Sequence, residues 1–406
     1  MEEKITTKKS FILLIIILGS IIAIGPLSID MYLPAFSAMA KYFLVSEADI
    51  QLTLSSYFIG LAFGQIIYGP IVDRYGKKPP LIFGLSLIVI TSFWCTFVTK
   101  IDHIIILRFF QAIGAASCFV IMRAIVRDLF SAKECAQVFS YLMLVMGIAP
   151  ILAPLLGGFV LIHFNWQAIF WFLGWFSILL IIVSYLYLPK SRAGDQNQKV
   201  SGALKRYLEI IKDKNFLFYA LSSGFASSGM FIYITASPFV IINIFGVKPE
   251  NYGWIFGANA FGYVLIAQIN SKLLKIFEIE QVLNFAFKIL LLASALLFFL
   301  GFCFTNLWTV SIAFFIYISL IGIIAPNSTA LALSKQIKNS GSASALFGTL
   351  QFSISAFGSF VVSHFHNETA LPMIFIISLC GFAGFFINYF GNFMGKKSEV
   401  LKASPH

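Results

Sequence analysis

The chain has 406 residues, of which 59% are hydrophobic and only 11% are charged, and its mean hydropathy is +0.90. This composition excludes a soluble domain and indicates a protein that crosses a membrane several times. The net charge of +11 does not indicate nucleic-acid binding, because no loop combines its basic residues with aromatic side chains that could stack on bases.

Long apolar runs predict an all-α membrane protein. A helix needs about 20 residues to cross a hydrocarbon core of about 30 Å, and no run alternates in the way of a membrane β-strand. We therefore expect twelve transmembrane helices. They are predicted at about 11–36, 50–70, 79–98, 104–126, 136–162, 166–188, 216–240, 252–272, 282–302, 307–331, 342–364 and 370–393.

The first run contains a carboxylate. Of the 17 acidic residues, only Asp30 lies within a predicted span. A charge at membrane depth costs at least about 2.5 kcal/mol on insertion scales, so such a residue normally faces a cavity or a partner and marks a transport pathway. The alternative is a solvated outer end of the helix, because the apolar stretch continues through Pro34.

The loop between the second and third runs reads GPIVDRYGKK. Its aspartate is expected to contact the positive end of a neighbouring helix or an arginine across the bundle, while its basic residues anchor the loop in the anionic inner leaflet. Its two glycines allow a tight turn and close helix packing. Such contacts can form in one conformation and break in another, so we predict a conformational switch. The switch residues are Gly69, Asp73, Arg74, Gly76, Lys77 and Lys78.

The fourth and fifth runs carry two further patterns. RFFQAIGAAS contains Arg108 and Gln111, and GIAPILAPLLGG combines prolines with small residues. Proline bends a helix and small residues let a neighbour approach, so the fifth run suits a gating hinge, although ordinary tight packing explains each single residue equally well. The predicted hinge residues are Gly147, Pro150, Pro154, Gly157 and Gly158.

Arg108 is expected in the same outer half of the membrane as Asp30. Burial disfavours a charged carboxylate and a nearby guanidinium favours it, so a change in their separation would change the proton affinity of Asp30 between two conformations. We predict that Asp30 carries a coupling proton and that Arg108 tunes its affinity.

One long polar stretch, Leu188 to Asn215, divides the runs six and six. We expect an N-terminal bundle at 1–188, a cytoplasmic linker at 189–214 and a C-terminal bundle at 215–406. A weak repeat supports this division, since LAFGQIIYGPIVDR, from Leu61, is echoed 198 residues later by NAFGYVLIAQINSK, from Asn259. Two six-helix repeats around a midplane site are typical of secondary transporters.

Several of these motifs resemble a known family. GPIVDRYGKK resembles the loop signature G-x-x-x-D-[RK]-x-G-[RK]-[RK] of the major facilitator superfamily at every fixed position. The fourth run resembles the R-x-x-Q-G segment of its drug exporters, with Ala112 where glycine is common. The fifth resembles the antiporter signature G-x-x-x-G-P-x-x-G-G, with Ala149 and Ala153 near the expected glycines.

Four further stretches, PLSIDMYLPAF, RAIVRDLF, ITASPFV and APNSTALAL, are similar to the bicyclomycin and chloramphenicol resistance (Bcr/CflA) transporters of that superfamily. The resemblance implies the major facilitator fold, with two pseudo-symmetric six-helix bundles. It also implies export of drugs or other small molecules in exchange for protons. An exporter of one metabolite or siderophore remains an alternative, since drugs, siderophores and metabolites all suit an apolar cavity with one acid. A proton-coupled importer is a further alternative, because it has the same architecture and only the antiporter-like fifth run speaks against it.

Polar residues on central spans are candidates for the substrate cavity, although hydrogen bonds between helices explain them equally well. They are Gln111, Tyr233, Asn327 and Gln351. We expect no enzymatic activity, cofactor or metal site, because the sequence has no nucleotide-binding loop, nucleophile motif or metal-ligand spacing. The expected protein is a monomer in the bacterial inner membrane, with a small molecule, protons and membrane lipids as its partners.

The distribution of basic residues predicts the orientation. With the N-terminus inside, 23 of the 28 Lys and Arg residues fall in inner segments, which places both termini in the cytoplasm. A reporter active only in the periplasm should therefore be silent when fused after residue 200 and active after residue 246. Activity in the reverse order would overturn this topology.

Overall fold

The computed structural model describes residues 8–129, 132–188, 202–303, 306–334, 340–365, 367 and 369–403. The first half of the predicted linker, 189–201, lies outside the described residues, as do 1–7 and 404–406. Regular structure in the described part is helical, as predicted. Its α-helices are α1 (Lys8–Asp30), α2 (Phe36–Phe43), α3 (Glu47–Tyr75), α4 (Lys78–Cys95), α5 (Ile101–Leu129), α6 (Ala132–His163), α7 (Trp166–Tyr187), α8 (Gly202–Ile211), α9 (Lys214–Pro238), α10 (Pro249–Leu273), α11 (Ile279–Cys303), α12 (Leu307–Leu333), α13 (Ser340–His364) and α14 (Leu371–Ala403).

In the part of the chain that the structure describes, twelve long helices correspond to the twelve predicted runs, since every helix except α2 and α8 has at least 18 residues. In the described chain, eleven stretches are both long and apolar enough to cross a membrane, and one of these, Ile12–Phe43, includes both α1 and α2. The remaining long helix is α10. It has 25 residues, but the amides of Asn259, Gln268 and Asn270 lower its apolarity.

The described residues group into two compact units. One is drawn from Met1–Gly202 and Lys248–Gly257, and the other from Ala203–Val247 and Ala258–His406. Helix α8, which lies in the second half of the predicted linker, therefore belongs to the second unit. The boundaries expected at 188 and 215 remain a prediction.

In the first unit, α1 packs against α5, α6 and α7, while α3 and α4 pack along α5. The start of α3 is fixed by a capping box, in which Ser46 accepts from the backbone of Asp49 and the Asp49 carboxylate accepts from the backbone of Ser46. This packing places the helix that carries Asp30 beside the helix that carries Arg108.

In the second unit, α9 takes a comparable central place and packs against α12, α13 and α14. A sequence repeat connects the two units. GGFVLIHF, from Gly157 at the end of α6, recurs as GSFVVSHF, from Gly358 at the end of α13, with five of eight residues identical and an offset of 201 residues. The two halves of the chain therefore share a sequence pattern at the ends of α6 and α13 as well as the number of long helices.

Buried and half-buried amides join helices within the second unit. Asn270 of α10 and Asn327 of α12 each donate to the other's side-chain oxygen, at 3.1 and 2.9 Å. Asn284 of α11 accepts from Asn388 and Asn392 of α14 at 2.7 and 2.6 Å. Hydrocarbon offers these groups no other partners, so the pairs fix the register between neighbouring helices.

We expect Asn327→Leu to lower the free energy of unfolding by about 1 kcal/mol, because the amide of Asn270 loses its partner while it stays buried. The double variant Asn270→Leu/Asn327→Leu should recover part of this loss. Thermal unfolding in detergent of the wild type, both single variants and the double variant measures the coupling between the two amides. Strictly additive losses would show that the two amides do not interact.

Candidate functional site

Asp30 lies at a break in the first transmembrane stretch. Helix α1 ends at Asp30, a turn follows, and the chain continues through a 3-10 helix at Leu33–Ala35 into α2. Pro34 causes this break, because it has no backbone N–H to donate to the carbonyl of Asp30 and its ring would clash with that carbonyl in a continuous helix. The carbonyls at the end of α1 therefore need other donors.

Arg108 of α5 supplies one of these donors. Its Nη2 donates to the backbone carbonyl of Ser28 at 2.8 Å, and its Nη1 donates to the side-chain oxygen of Gln111. Gln111 in turn donates to the hydroxyl of Ser92 on α4 at 2.7 Å. A relay of hydrogen bonds thus connects the broken end of α1 with α5 and α4, and Arg108 acts as a C-terminal cap contributed by another helix.

Aromatic rings enclose the guanidinium. Its Cζ lies 4.4 Å from the ring centre of Tyr32 and 4.3 Å from that of Tyr57, with Phe170 at 5.9 Å. The hydroxyl of Tyr32 is hydrogen-bonded to Thr53 at 2.9 Å, which fixes the orientation of its ring. Arg108 is 0% exposed, and cation–π contacts in such desolvated places are worth about 2 kcal/mol or more. These rings help to hold the cation in the interior.

Asp30 itself is 3% exposed, and the apolar stretch continues beyond it to Phe43. In this conformation it is therefore not a solvated helix end. Its Oδ1 is buried without a hydrogen bond. Within the described chain Asp30 and Arg108 form no ion pair, since the guanidinium donates to Ser28 and Gln111 instead. The structure thus brings both residues to the same break but does not join them directly.

Most of the predicted switch loop continues helix α3, and only Gly76 and Lys77 lie between α3 and α4. Gly76 ends α3 with φ of +77°, a conformation that favours glycine, and its N–H bonds to Val72. The Nζ of Lys78 donates to the carbonyls of Tyr185 and Leu188 at 2.7 and 3.2 Å. Lys78 therefore caps the C-terminal end of α7, where the helix dipole favours a cation. Its expected contact with lipid headgroups stays a prediction.

The other charged residues of the loop have different surroundings. The guanidinium of Arg74 lies 5.3 Å from the ring of Tyr75, and Lys77 is buried. The side chain of Asp73 is outside what the structure describes, so its expected contact stays a prediction.

The predicted hinge is part of one continuous helix. Helix α6 runs from Ala132 to His163 with Pro150 and Pro154 inside it. Gly147, Gly157 and Gly158 are buried. Gly157 faces the backbone of Met31, the residue after Asp30. The fifth run therefore contacts the break in α1 directly.

Three of the four cavity candidates take part in hydrogen bonds between side chains. Gln111 is held by Arg108 and Ser92. The hydroxyl of Tyr233 accepts from Asn259 at 2.6 Å, and Asn327 pairs with Asn270. These hydrogen bonds agree with the packing interpretation, and a role in the substrate cavity stays a prediction. The fourth candidate, Gln351, is half-buried on α13.

Sequence reasoning missed the residues that hold Arg108. The ring of Tyr32 lies two residues from Asp30 in a stretch already singled out, so a search for aromatic neighbours of the acid could have found it. The backbone carbonyl of Ser28 and the hydroxyl of Ser92 have no sequence signature. Among the described residues, no group of three or more His, Cys, Asp or Glu side chains could hold a metal ion.

Comparisons with known proteins agree with this architecture. The family model described as Major Facilitator Superfamily matches residues 18–359. The MFS-type transporter YdgK of Bacillus subtilis is 33% identical over 387 residues, which cover 94% of this chain and 96% of the relative. The bicyclomycin resistance protein homolog of Haemophilus influenzae is 29% identical over 375 residues, covering 92% and 94% of the two chains.

A chloramphenicol resistance protein of Pseudomonas aeruginosa is 26% identical over 369 residues, covering 89% of this chain and 86% of the relative. Among solved structures, a D-xylose–proton symporter superposes with a TM-score of 0.71 at 14% identity, covering 94% and 96% of the two chains. At this identity the likeness concerns the fold alone.

The hydrogen bonds that Arg108 makes as a helix cap predict that arginine and lysine at position 108 give different stabilities. Arg108→Lys keeps the charge, but a single ammonium cannot reproduce the planar fork that serves Ser28 and Gln111 together. We expect lysine to lower the free energy of unfolding by about 1.5–3 kcal/mol, the usual contribution of a hydrogen bond to a charged group. Thermal unfolding in detergent checks this.

The matched control is Lys288→Arg, which exchanges the same two cations at an exposed position of α11 and should leave the unfolding midpoint unchanged. Equal stability of Arg108→Lys and the wild type would show that charge alone holds this site.

Proposed function

Because this chain belongs to the major facilitator superfamily, we propose that it exports drug-like or other small molecules from the cytoplasm in exchange for protons. The superfamily match covers most of the chain, which confirms the predicted family and makes the protein a multi-pass membrane transporter. Export of drugs is supported by aligned relatives whose names refer to bicyclomycin and chloramphenicol resistance.

Proton exchange is assigned to Asp30 on the basis of its surroundings. This carboxyl group is 3% exposed, and its Oδ1 accepts no hydrogen bond. An unpaired buried charge costs several kcal/mol, and binding of a proton removes the charge. Conformations that differ in the hydration of Asp30 therefore differ in proton affinity, which is what coupling by alternating access requires.

Arg108 has a role in this proposal that differs from a direct ion pair. Its guanidinium holds the carbonyl of Ser28, two residues before Asp30. A movement that releases this cap would free the cation for the carboxylate and would alter the geometry of the break at the same time. Arg108 thus tunes Asp30 both through its charge and through the backbone that carries Asp30.

The loop Gly69–Lys78 is the proposed conformational switch. Because Lys78 caps α7, this end of the loop moves together with α7, and the contacts that break and form are assigned to Asp73, Arg74 and Lys77. We place the protein in the bacterial inner membrane, with both termini and the predicted linker in the cytoplasm, on the strength of the basic-residue count.

The decisive variant is Asp30→Asn, which imitates the protonated acid and cannot release a proton. In proteoliposomes it should bind substrate within a few fold of the wild type but fail to transport substrate against its gradient when a pH gradient is applied. Proton release upon substrate binding, measured with a pH-sensitive dye in weak buffer, should disappear. The substrate for these assays is chosen beforehand, as the compound from a panel of antibiotics, siderophores and metabolites whose accumulation in cells the protein changes.

Asp102→Asn is the matched control, because Asp102 is an exposed aspartate in the first turn of α5. It should keep wild-type coupling. Uphill, pH-driven transport by Asp30→Asn at the wild-type rate would remove Asp30 from the mechanism.

A further inference from the structure

We propose that Gly157 of α6 is the positioning residue for Asp30, and that it acts by admitting the Met31 carbonyl to the surface of α6. This inference rests on the proposed role of Asp30 as the proton carrier. It replaces the predicted hinge role of Gly157 with a docking role, in which the absent side chain matters more than any bending of the helix.

The contact at Gly157 is between two backbones. A β-carbon on Gly157 would overlap the carbonyl oxygen of Met31 and would lie 2.8 Å from its carbonyl carbon. Real β-carbons do not approach backbone this closely, and a backbone carbonyl cannot rotate away as the tip of a side chain can. The adjacent glycine differs, because the nearest atom to a β-carbon on Gly158 would lie 3.5 Å away, an ordinary van der Waals distance.

The break in α1 explains why the Met31 carbonyl can take this position. In a continuous α-helix it would accept from the N–H of Ala35. That N–H donates to the carbonyl of Tyr32 instead, at 2.9 Å. The N–H of Met31 still donates to the carbonyl of Leu27 at 3.2 Å, as in a regular helix, but its carbonyl has left the helix pattern and contacts α6. Because the Met31 carbonyl is one residue from Asp30, its position determines where the carboxyl group lies relative to Ser28 and Arg108.

The internal repeat supplies a comparison within the same chain. At the offset of 201 residues, Gly157 corresponds to Gly358 and Met31 to Ile232, and this second pair is also in contact. There a β-carbon on Gly358 would meet the Cδ1 of Ile232 at 2.7 Å and the hydroxyl of Ser228 at 2.8 Å, both ends of side chains.

The second unit has neither the acid nor the break at this place. Helix α9 is continuous at Ile232, and Phe231 stands where the first unit has Asp30. The contact between glycine and backbone therefore occurs in the unit that carries the acid. Helix packing also brings backbone carbonyls against glycines that have no acid beside them, at Gly60, Gly114 and Gly322. The contact at Gly157 is closer than these three and involves the residue next to Asp30, so we attribute it to the placement of Asp30.

The test compares Gly157→Ala with Gly158→Ala in proteoliposomes. A displacement on the order of 1 Å at a functional group can lower rates by about a hundredfold. We expect Gly157→Ala to slow pH-driven uphill transport at least about tenfold and to shift the midpoint of its pH dependence, while substrate binding stays within a few fold. Gly158→Ala tests the same helix without the contact to Met31, so any change in rate from its predicted hinge role should leave the midpoint of the pH dependence at the wild-type value.

Asp30→Asn, measured alongside, separates this inference from the proposed function. If Asp30→Asn retains coupling, the proposed function fails. If Asp30→Asn loses coupling while folded Gly157→Ala keeps the wild-type pH profile, the positioning role fails. Should Gly157→Ala not fold, Pro34→Ala disturbs the same contact from the α1 side, because it restores the N–H that a continuous helix needs. A wild-type pH profile for Pro34→Ala would then overturn the inference.

Discussion

The hydrogen bond from Arg108 to the Ser28 carbonyl is the interaction on which the first unit depends. A helix that ends inside a membrane leaves carbonyl groups without donors, and lipid cannot satisfy them. Pro34 forces α1 to end at Asp30. The break can therefore persist only if neighbouring helices provide the hydrogen-bond donors that water would provide elsewhere. Arg108 donates to the freed backbone, and α6 accommodates the displaced chain at Gly157.

This constraint also explains why a full positive charge tolerates complete burial. The ring centres of Tyr32 and Tyr57 lie 4.4 and 4.3 Å from the Cζ of Arg108, and Gln111 extends its hydrogen bonding to Ser92. Both terminal nitrogens of the guanidinium are therefore hydrogen-bonded without a carboxylate partner in the described chain. As a consequence, Asp30 lies two residues from a carbonyl that a cation holds, and that cation does not neutralise it. In the proposed function, a modest change of conformation would then alter the chemistry of the acid.

The sequence predicted those features that depend on residue type along one segment. The apolar runs gave the helices, the isolated carboxylate identified Asp30, and the glycine at the end of α3 matched its positive φ. Features that depend on contacts across segments were not predictable. The Ser28 carbonyl looks like any other backbone group in the sequence, Lys78 reaches residues more than 100 positions away, and Asn327 resembles a cavity residue until its partner Asn270 is known.

The buried polar groups differ in kind between the two units. Among the described residues, the buried charged side chains are Asp30, Lys77 and Arg108, all in the first unit, whereas the second unit buries amides and hydroxyls. An electric field does work only on charges that move within it, and one elementary charge crossing 100 mV corresponds to about 2.3 kcal/mol. The membrane voltage therefore acts on the interior of one half of the protein and leaves the neutral interior of the other half almost unaffected. Any dependence of the transport cycle on membrane voltage should originate in the first unit, although the two halves share a common helical plan.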